Sequence, residues 1–136
     1  MSIGNTTEND ICELLFKATA LSWAANANLF VSLHTADPGE SGSQTTSEAT
    51  YTSYARVTVA RSGAGWTVTA NQAVNAALVQ FPQCTGGSNT ITHAAIGTAV
   101  SGAGQIIVSG ALSSPLAVSS GIQPQFAASA LAFTLD

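Results

Sequence analysis

Apolar positions along the chain follow a helical period at first and a period of two afterwards. The first set recurs at i, i+3, i+4, i+7 and i+10: Ile11, Leu14, Leu15, Ala18 and Leu21. This spacing places the five side chains on one face of a helix. Thr6 or Thr7 can cap its N-terminus, and Glu8 follows in the favourable first turn. The pattern predicts a helix of about four turns between Glu8 and Ala24, within an N-terminal segment spanning 1–25.

From residue 29 onward, short runs of alternating apolar and polar residues are separated by turn-forming residues, as is typical of β-strands. The strongest turn is Asp37-Pro38-Gly39, in which Pro fixes φ, Gly accepts a positive φ and Asp can close an Asx turn. The predicted strands are 29–34, 54–60, 66–69, 76–81, 90–98, 105–112, 116–118 (a short strand or an edge), 122–126 and 130–135. One helix followed by about eight short strands predicts one mainly β domain. We expect an antiparallel β-sandwich or jelly-roll-like fold spanning 28–136.

Charge is scarce in this chain: 10 of the 136 residues are charged, whereas 32 are Ser or Thr. Free-standing soluble domains have about a quarter of their residues charged. A surface of hydroxyls, amides and small apolar groups suits burial against other subunits, because surface charge keeps free proteins apart. The composition therefore favours a part of an assembly. The Ser/Thr-rich stretch 40–52 has no periodicity, and we predict a long surface loop there.

The same composition argues against several classes of partner. Nucleic-acid binding normally requires several phosphate-neutralising cations, and this chain has three basic residues and a net charge of −4. The shortage also argues against an anionic membrane surface. No apolar run approaches the ~20 residues of a spanning helix, and we expect no signal peptide.

Cys12 and Cys84 are expected to be free thiols in a reducing compartment rather than a disulfide. We therefore expect the protein to be made in a cytoplasm and to leave it, if at all, by a route other than secretion.

Residues that could carry chemistry are few. His34 and Asp37 form an H-x-x-D at a strand end, and His93 could complete a metal site, but the spacing matches no zinc or iron signature. We interpret Asp37 as a turn cap and His34 as a polar strand residue. A serine nucleophile needs a base and an orienting group, and no G-x-S-x-G elbow exists. Beyond Glu48 the only acidic side chain is Asp136. We therefore predict no catalytic residue, no metal site, no cofactor and no small-molecule substrate.

Four side chains are candidates for contacts between subunits. Arg56 and Arg61 lie in or beside the second predicted strand, and an Arg fork suits carboxylates at interfaces. Tyr51 and Tyr54 are aromatic residues of the kind that anchor interfaces. The alternatives are ordinary surface charge for the arginines and core packing for the aromatics. The apolar helix face has two interpretations as well: it packs against the chain's own sheet, or it docks on a neighbouring subunit.

The stretch 30–40, which contains LHTADPG, resembles a family of small virion proteins of tailed phages. Members of this family have an N-terminal helix, a strand ending in this motif, and a polar loop that leads to a YAR strand, here Tyr54-Ala55-Arg56. Later blocks are similar in order and spacing: Phe81-Pro82, 91–97 (ITHAAIG), 110–116 (GALSSPL), 119–121 (SSG) and 126–131 (FAASAL). The chain departs from the family at 98–100, where an acidic or aromatic residue is frequent, and at Ser129, where a turn glycine is frequent. The resemblance covers nearly the whole chain.

The resemblance implies a non-enzymatic structural protein of a phage virion, assembled in the host cytoplasm. Our leading interpretation is a capsid cement or decoration protein on the capsid exterior, which binds the major capsid protein and copies of itself, with a homotrimer as one expected assembly. The alternative is a tail component, a fibre or an adaptor, with a part in host attachment. A carbohydrate-binding module is a further hypothesis from fold alone, and burial of Trp23 and Trp66 would argue against it. Copy number separates the virion roles, because a cement protein is abundant and a tail part is scarce.

Overall fold

A computed structural model describes residues 1–135. The elements in chain order are β1 (Ser2–Ile3), α1 (Asn5–Lys17), β2 (Asn28–His34), β3 (Val57–Ala60), β4 (Trp66–Thr69), β5 (Gln72–Asn75), β6 (Val79–Gln80), β7 (Ser88–Gly97), β8 (Ile106–Ser119), β9 (Gln125–Phe126) and β10 (Ala132–Thr134). The strands form antiparallel sheets in the orders β1-β8-β7-β2-β3, β10-β5-β4 and β6-β9. The predicted class, mainly β with one N-terminal helix, is confirmed. Over the described residues there are ten strands rather than about eight, and they do not close into a barrel.

The hydrophobic core lies against the five-stranded sheet. Val31 and Leu33 of β2 and Ile91 of β7 are at most 1% exposed, because alternate side chains of a strand point to the same face. They form one cluster with Phe81, which follows β6, and Leu131, which precedes β10. Burying each of these side chains stabilises the fold by about 1.5–3 kcal/mol. The smaller sheets are thereby packed onto the larger one.

The turn after β2 has the geometry that its sequence predicts. Asp37 Oδ1 accepts a hydrogen bond from the backbone N–H of Gly39 at 2.9 Å, and Gly39 has a φ of +70°. The stretch 40–52 contains none of the strands named above, as predicted, yet it is not simply a surface loop. Gln44 and Tyr51 are buried, because the stretch folds back along β2 and against the core.

The predicted helix is wrong at both ends. The N-cap is Gly4 rather than a threonine, and the helix ends at Lys17 rather than near residue 24. Ala18 adopts a left-handed conformation with a φ of +54°, and its N–H bonds back to the carbonyl of Glu13. This closure satisfies a terminal carbonyl and turns the chain out of the helix. The segment 18–27 therefore reaches β2 without helical structure.

Several strand predictions differ from the structure in their bounds. β8 is one strand where two were predicted, and its pairing with β7 shifts register between Ile91 and His93, opposite the stretch that contains Pro115. Proline lacks the N–H that a regular ladder needs, so an irregularity at this place is expected. The strand predicted at 76–81 is replaced by β5 and β6, and the strand predicted at 54–60 is reduced to β3.

Candidate assembly surfaces

Arg56 lies just before β3 and is held in a buried cluster of hydrogen bonds. Its Nε donates to Glu48 Oε1 at 2.6 Å and its Nη2 donates to Glu48 Oε2 at 2.8 Å. The guanidinium also donates to the carbonyls of Ala99 at 2.9 Å and Gly102 at 2.7 Å. The side chains of Arg56 and Glu48 are 3% and 17% exposed. The cluster thus ties the stretch 40–52, the β7–β8 connection and the start of β3 together.

Tyr51 and Tyr54 are directed into the chain rather than toward solvent. The hydroxyl of Tyr54 donates to Glu48 Oε1 at 3.0 Å, and that of Tyr51 donates to the carbonyl of Pro82 at 3.0 Å. Their rings meet edge to face with centroids 5.3 Å apart, and Tyr54 stacks on Phe81 at 6.3 Å. Burial raises the pKa of Tyr51 to about 12 and also raises the pKa of Tyr54. In the single chain both tyrosines therefore act as core residues.

Arg61 is half-buried and more accessible than Arg56. Its guanidinium lies 4.8 Å from the centroid of the Trp23 ring, and its Nη1 donates to the carbonyl of Ala24 at 2.8 Å. No carboxylate pairs with it within residues 1–135.

Trp23 and Trp66 are half-buried, and the Nε1 of each is buried without an acceptor in that range. The Trp23 ring is a poor platform for a sugar, since it lies under the Arg61 guanidinium. A role in contacts between subunits stays a prediction for Arg56, Arg61, Tyr51 and Tyr54.

His34 forms a buried pair with Ser32 on β2. Its Nδ1 lies 2.8 Å from the carbonyl of Thr46, and its Nε2 lies 2.9 Å from Ser32 Oγ. Because a carbonyl can only accept, Nδ1 of the neutral ring carries the proton and Nε2 accepts from the Ser32 hydroxyl. Burial lowers the pKa of His34. This pair has the distance of a nucleophile and its base. Both residues are 0% exposed, however, so a substrate cannot reach Ser32 Oγ in this conformation.

The suggested metal ligands are engaged elsewhere. Asp37 closes its turn, His34 is bonded as described, and the Nδ1 of His93 lies 2.8 Å from Thr92 Oγ1. Among residues 1–135, no group of three or more His, Cys, Asp or Glu side chains could hold a metal ion.

In the same range, no helix has both the length and the apolar character needed to cross a bilayer.

An apolar cleft opens where the five-stranded sheet and the β10-β5-β4 sheet do not meet completely. The cleft has a volume of about 490 Å³. The apolar side chains that line it include Leu29, Ile96, Val108, Trp66, Val68 and Phe133. Arg61 lies on the same wall, and Val68 is 70% exposed. We call this feature the apolar cleft.

α1 presents a second apolar surface. Its first turn contacts β8, where Thr7 is buried and donates to the carbonyl of Ile106 at 3.0 Å. On the outer side, Cys12, Leu15 and Phe16 lie at i, i+3 and i+4, with Leu15 69% and Phe16 84% exposed. We call these three residues the exposed stripe. Large apolar side chains exposed together on one helix are typical of a surface that a partner covers.

Sequence reasoning missed the partner of Arg56 and most of these two surfaces. Glu48 was passed over as a loop residue, although it is the only acidic side chain in 41–135, a signal that could have identified it. The predicted helix face included Leu15 but not Cys12 or Phe16. The apolar cleft had no signal, because its walls come from strands that are far apart in the sequence.

Comparison with known protein families gives a match over nearly the whole chain. The family described as "Podophage GP4 fiber I protein gp80" matches residues 2–134. No curated protein matches the chain. The resemblance to tailed-phage virion proteins is thereby confirmed at the level of a phage structural protein, and the description supports the fibre alternative better than the capsid cement role. Because the match spans nearly all of the sequence, the chain belongs to the podophage fiber I protein gp80 family and is a structural protein of the phage virion.

Proposed function

We propose that this chain is a repeated building block of a podophage tail fibre and that it has no enzymatic role. The observation that carries the proposal is the match to a fibre family over residues 2–134. The expected neighbours are copies of the same chain and other tail proteins. The major capsid protein, the expected partner of a cement protein, is a less favoured neighbour because the family is described as a fibre protein.

The surface of the chain supports a role within an assembly. Few charges are available to keep copies apart, and two of the three basic side chains are paired, Arg56 with Glu48 and Lys17 with Glu13. The apolar cleft and the exposed stripe are both large apolar features that face solvent in a single chain. Exposed apolar patches of this kind mark protein interaction sites.

The interior supports a mechanical role. The Arg56–Glu48 cluster connects the stretch 40–52 to the start of β3 and to the β7–β8 connection. The Tyr51–Tyr54–Phe81 stack connects the same stretch to the core. A buried polar network whose members are satisfied rigidifies a fold. A rigid subunit suits a fibre, which has to hold its shape during contact with a host cell.

Virion location and copy number test this proposal. Purified virions would be labelled with gold-conjugated antibodies raised against the folded chain, and the copy number would be measured by mass spectrometry with isotope-labelled peptides. We expect labelling at the tail and a copy number far below that of the major capsid protein. Labelling over the whole head, with a copy number close to that of the major capsid protein, would instead support a cement protein. Antibodies incubated beforehand with an excess of the purified folded chain serve as the control for labelling specificity.

A further inference from the structure

We propose that the exposed stripe of α1 docks into the apolar cleft of a second copy of this chain. The inference deepens the proposed function, because it rests on a fibre in which copies of the chain are neighbours. It pairs two apolar surfaces that are both uncovered in the single chain. It assigns Leu15 and Phe16 as the inserted side chains and the walls around Val68 as the receiving surface.

The two surfaces are compatible in size and chemistry. A cleft of about 490 Å³ lies within the range of pockets that enclose small ligands, and it is large enough for one Leu and one Phe side chain. Phe16 is 84% exposed, so nearly all of its ring surface is available for burial. Burying one large apolar side chain tightens binding by roughly 10- to 100-fold.

The charges around the two surfaces are complementary. At the C-terminal end of α1, beside the exposed stripe, Lys17 pairs with Glu13 at 2.8 Å, so these two side-chain charges cancel and the negative end of the helix dipole remains. The cleft wall carries Arg61, which has no carboxylate partner within residues 1–135. An approaching helix end therefore brings the partial negative charge of its dipole to Arg61, the cation that the fold leaves without an ion pair.

Docking of a stripe into a cleft is a heterologous contact, since the two surfaces differ. Such a contact extends a row of copies, unless two copies exchange their helices reciprocally. Packing of one exposed stripe against another would cover the helices but would leave the cleft of each copy open. A single contact of this size lies at the small end of specific interfaces, so we expect association at micromolar concentrations or weaker.

Two single variants and their mixture test the pairing. Phe16→Ser removes the inserted ring, and Val68→Glu places a carboxylate in the cleft; both positions are largely exposed, so both variants are expected to fold. Leu78→Ser, at another exposed leucine outside both surfaces, is the matched control. Sedimentation velocity over a concentration series would measure association, and circular dichroism would confirm that each variant is folded.

We expect the wild-type chain and Leu78→Ser to associate alike, and each of the other two variants to raise the dissociation constant by at least about tenfold. A mixture of Phe16→Ser and Val68→Glu should form a 1:1 complex and nothing larger. In that mixture one copy keeps an intact cleft and the other keeps an intact stripe.

Three results would overturn the inference. They are a wild-type chain that stays monomeric at about 1 mM, a Val68→Glu variant that associates as tightly as the wild type, and a mixture that shows no complex. The second result is the one that stripe-to-stripe packing predicts. None of them bears on the location of the chain in the virion, so failure of this inference is distinguishable from failure of the proposed function.

Discussion

Arg56→Met is the most informative single substitution for the interior of this protein. The methionine keeps much of the length of the side chain but removes every donor. Glu48 then loses both of its guanidinium hydrogen bonds, and the carbonyls of Ala99 and Gly102 lose theirs. One donor to Glu48 is left, the hydroxyl of Tyr54.

The expected cost follows from the burial of the pair. Removing one partner of a buried ion pair costs about 3–5 kcal/mol. Glu48 is 17% exposed and gains some water, so we expect a value near the lower end, about 3 kcal/mol. A domain has a total stability of about 5–15 kcal/mol. The loss should therefore lower the midpoint of thermal unfolding by on the order of 10 °C.

Urea unfolding of a double-mutant cycle would measure this cost. The cycle consists of the wild type, Arg56→Met, Glu48→Leu and the double variant. We expect a coupling energy of about 1–3 kcal/mol, because the double variant leaves no unpaired carboxylate. Arg61→Met, at the more accessible arginine, is the control and should cost about 1 kcal/mol.

One result would refute this reasoning about Arg56. If Arg56→Met lowered the free energy of unfolding by less than 1 kcal/mol and instead weakened association between copies, the side chain would be an anchor between subunits. That role is one of the two alternatives that the sequence leaves open for Arg56. Measuring unfolding and sedimentation on the same preparation would distinguish the two roles.

Three further predictions concern the buried residues. Burial lowers the pKa of His34 from 6.5, so the neutral ring's contribution to the free energy of unfolding is fully present above about pH 6.5. Below that pH the stability falls by at most about 1.4 kcal/mol per pH unit. His34→Gln should remove this slope from urea midpoints measured between pH 5 and 8, and an unchanged slope would contradict the assignment. Phe81→Ala should cost about 3–5 kcal/mol in the same assay, because the ring is 0% exposed at the centre of the core, and a cost under 1 kcal/mol would mean that the core packs differently. Gly97→Ala should destabilise the fold by about 1–3 kcal/mol, because a Cβ there collides with the buried side chain of Gln44, and Gln44→Ala in the same chain should recover part of the loss.

Local patterns predicted the elements whose signals lie in neighbouring residues. Alternation identified β2, and the Asp37–Gly39 turn followed from the special backbone preferences of its residues. The end of α1 could not be predicted in this way. Leu21 continues the helical spacing, and no Gly or Pro marks a stop, yet Ala18 turns left-handed after Lys17. β5 was missed because its sequence, Gln72–Asn75, alternates too weakly for a strand pattern.

The candidate surfaces depended on contacts between distant parts of the chain. Arg56 was identified from its chemistry, but its burial depends on carbonyls more than forty residues away, at Ala99 and Gly102. The apolar cleft is formed by Leu29, Trp66 and Phe133, which no local pattern connects. Composition was informative in a different way, since scarce charge predicted a role in an assembly without indicating which surfaces would be covered.

An asymmetric reconstruction of the intact virion is the most direct measurement of the central claim, that this chain is a fibre subunit. We predict that the fold of residues 1–135, with its N-terminal helix and antiparallel sheets, fits repeated density along a fibre at the tail. Density for the same fold in the seams between capsomers of the head, with none in the fibres, would contradict the account.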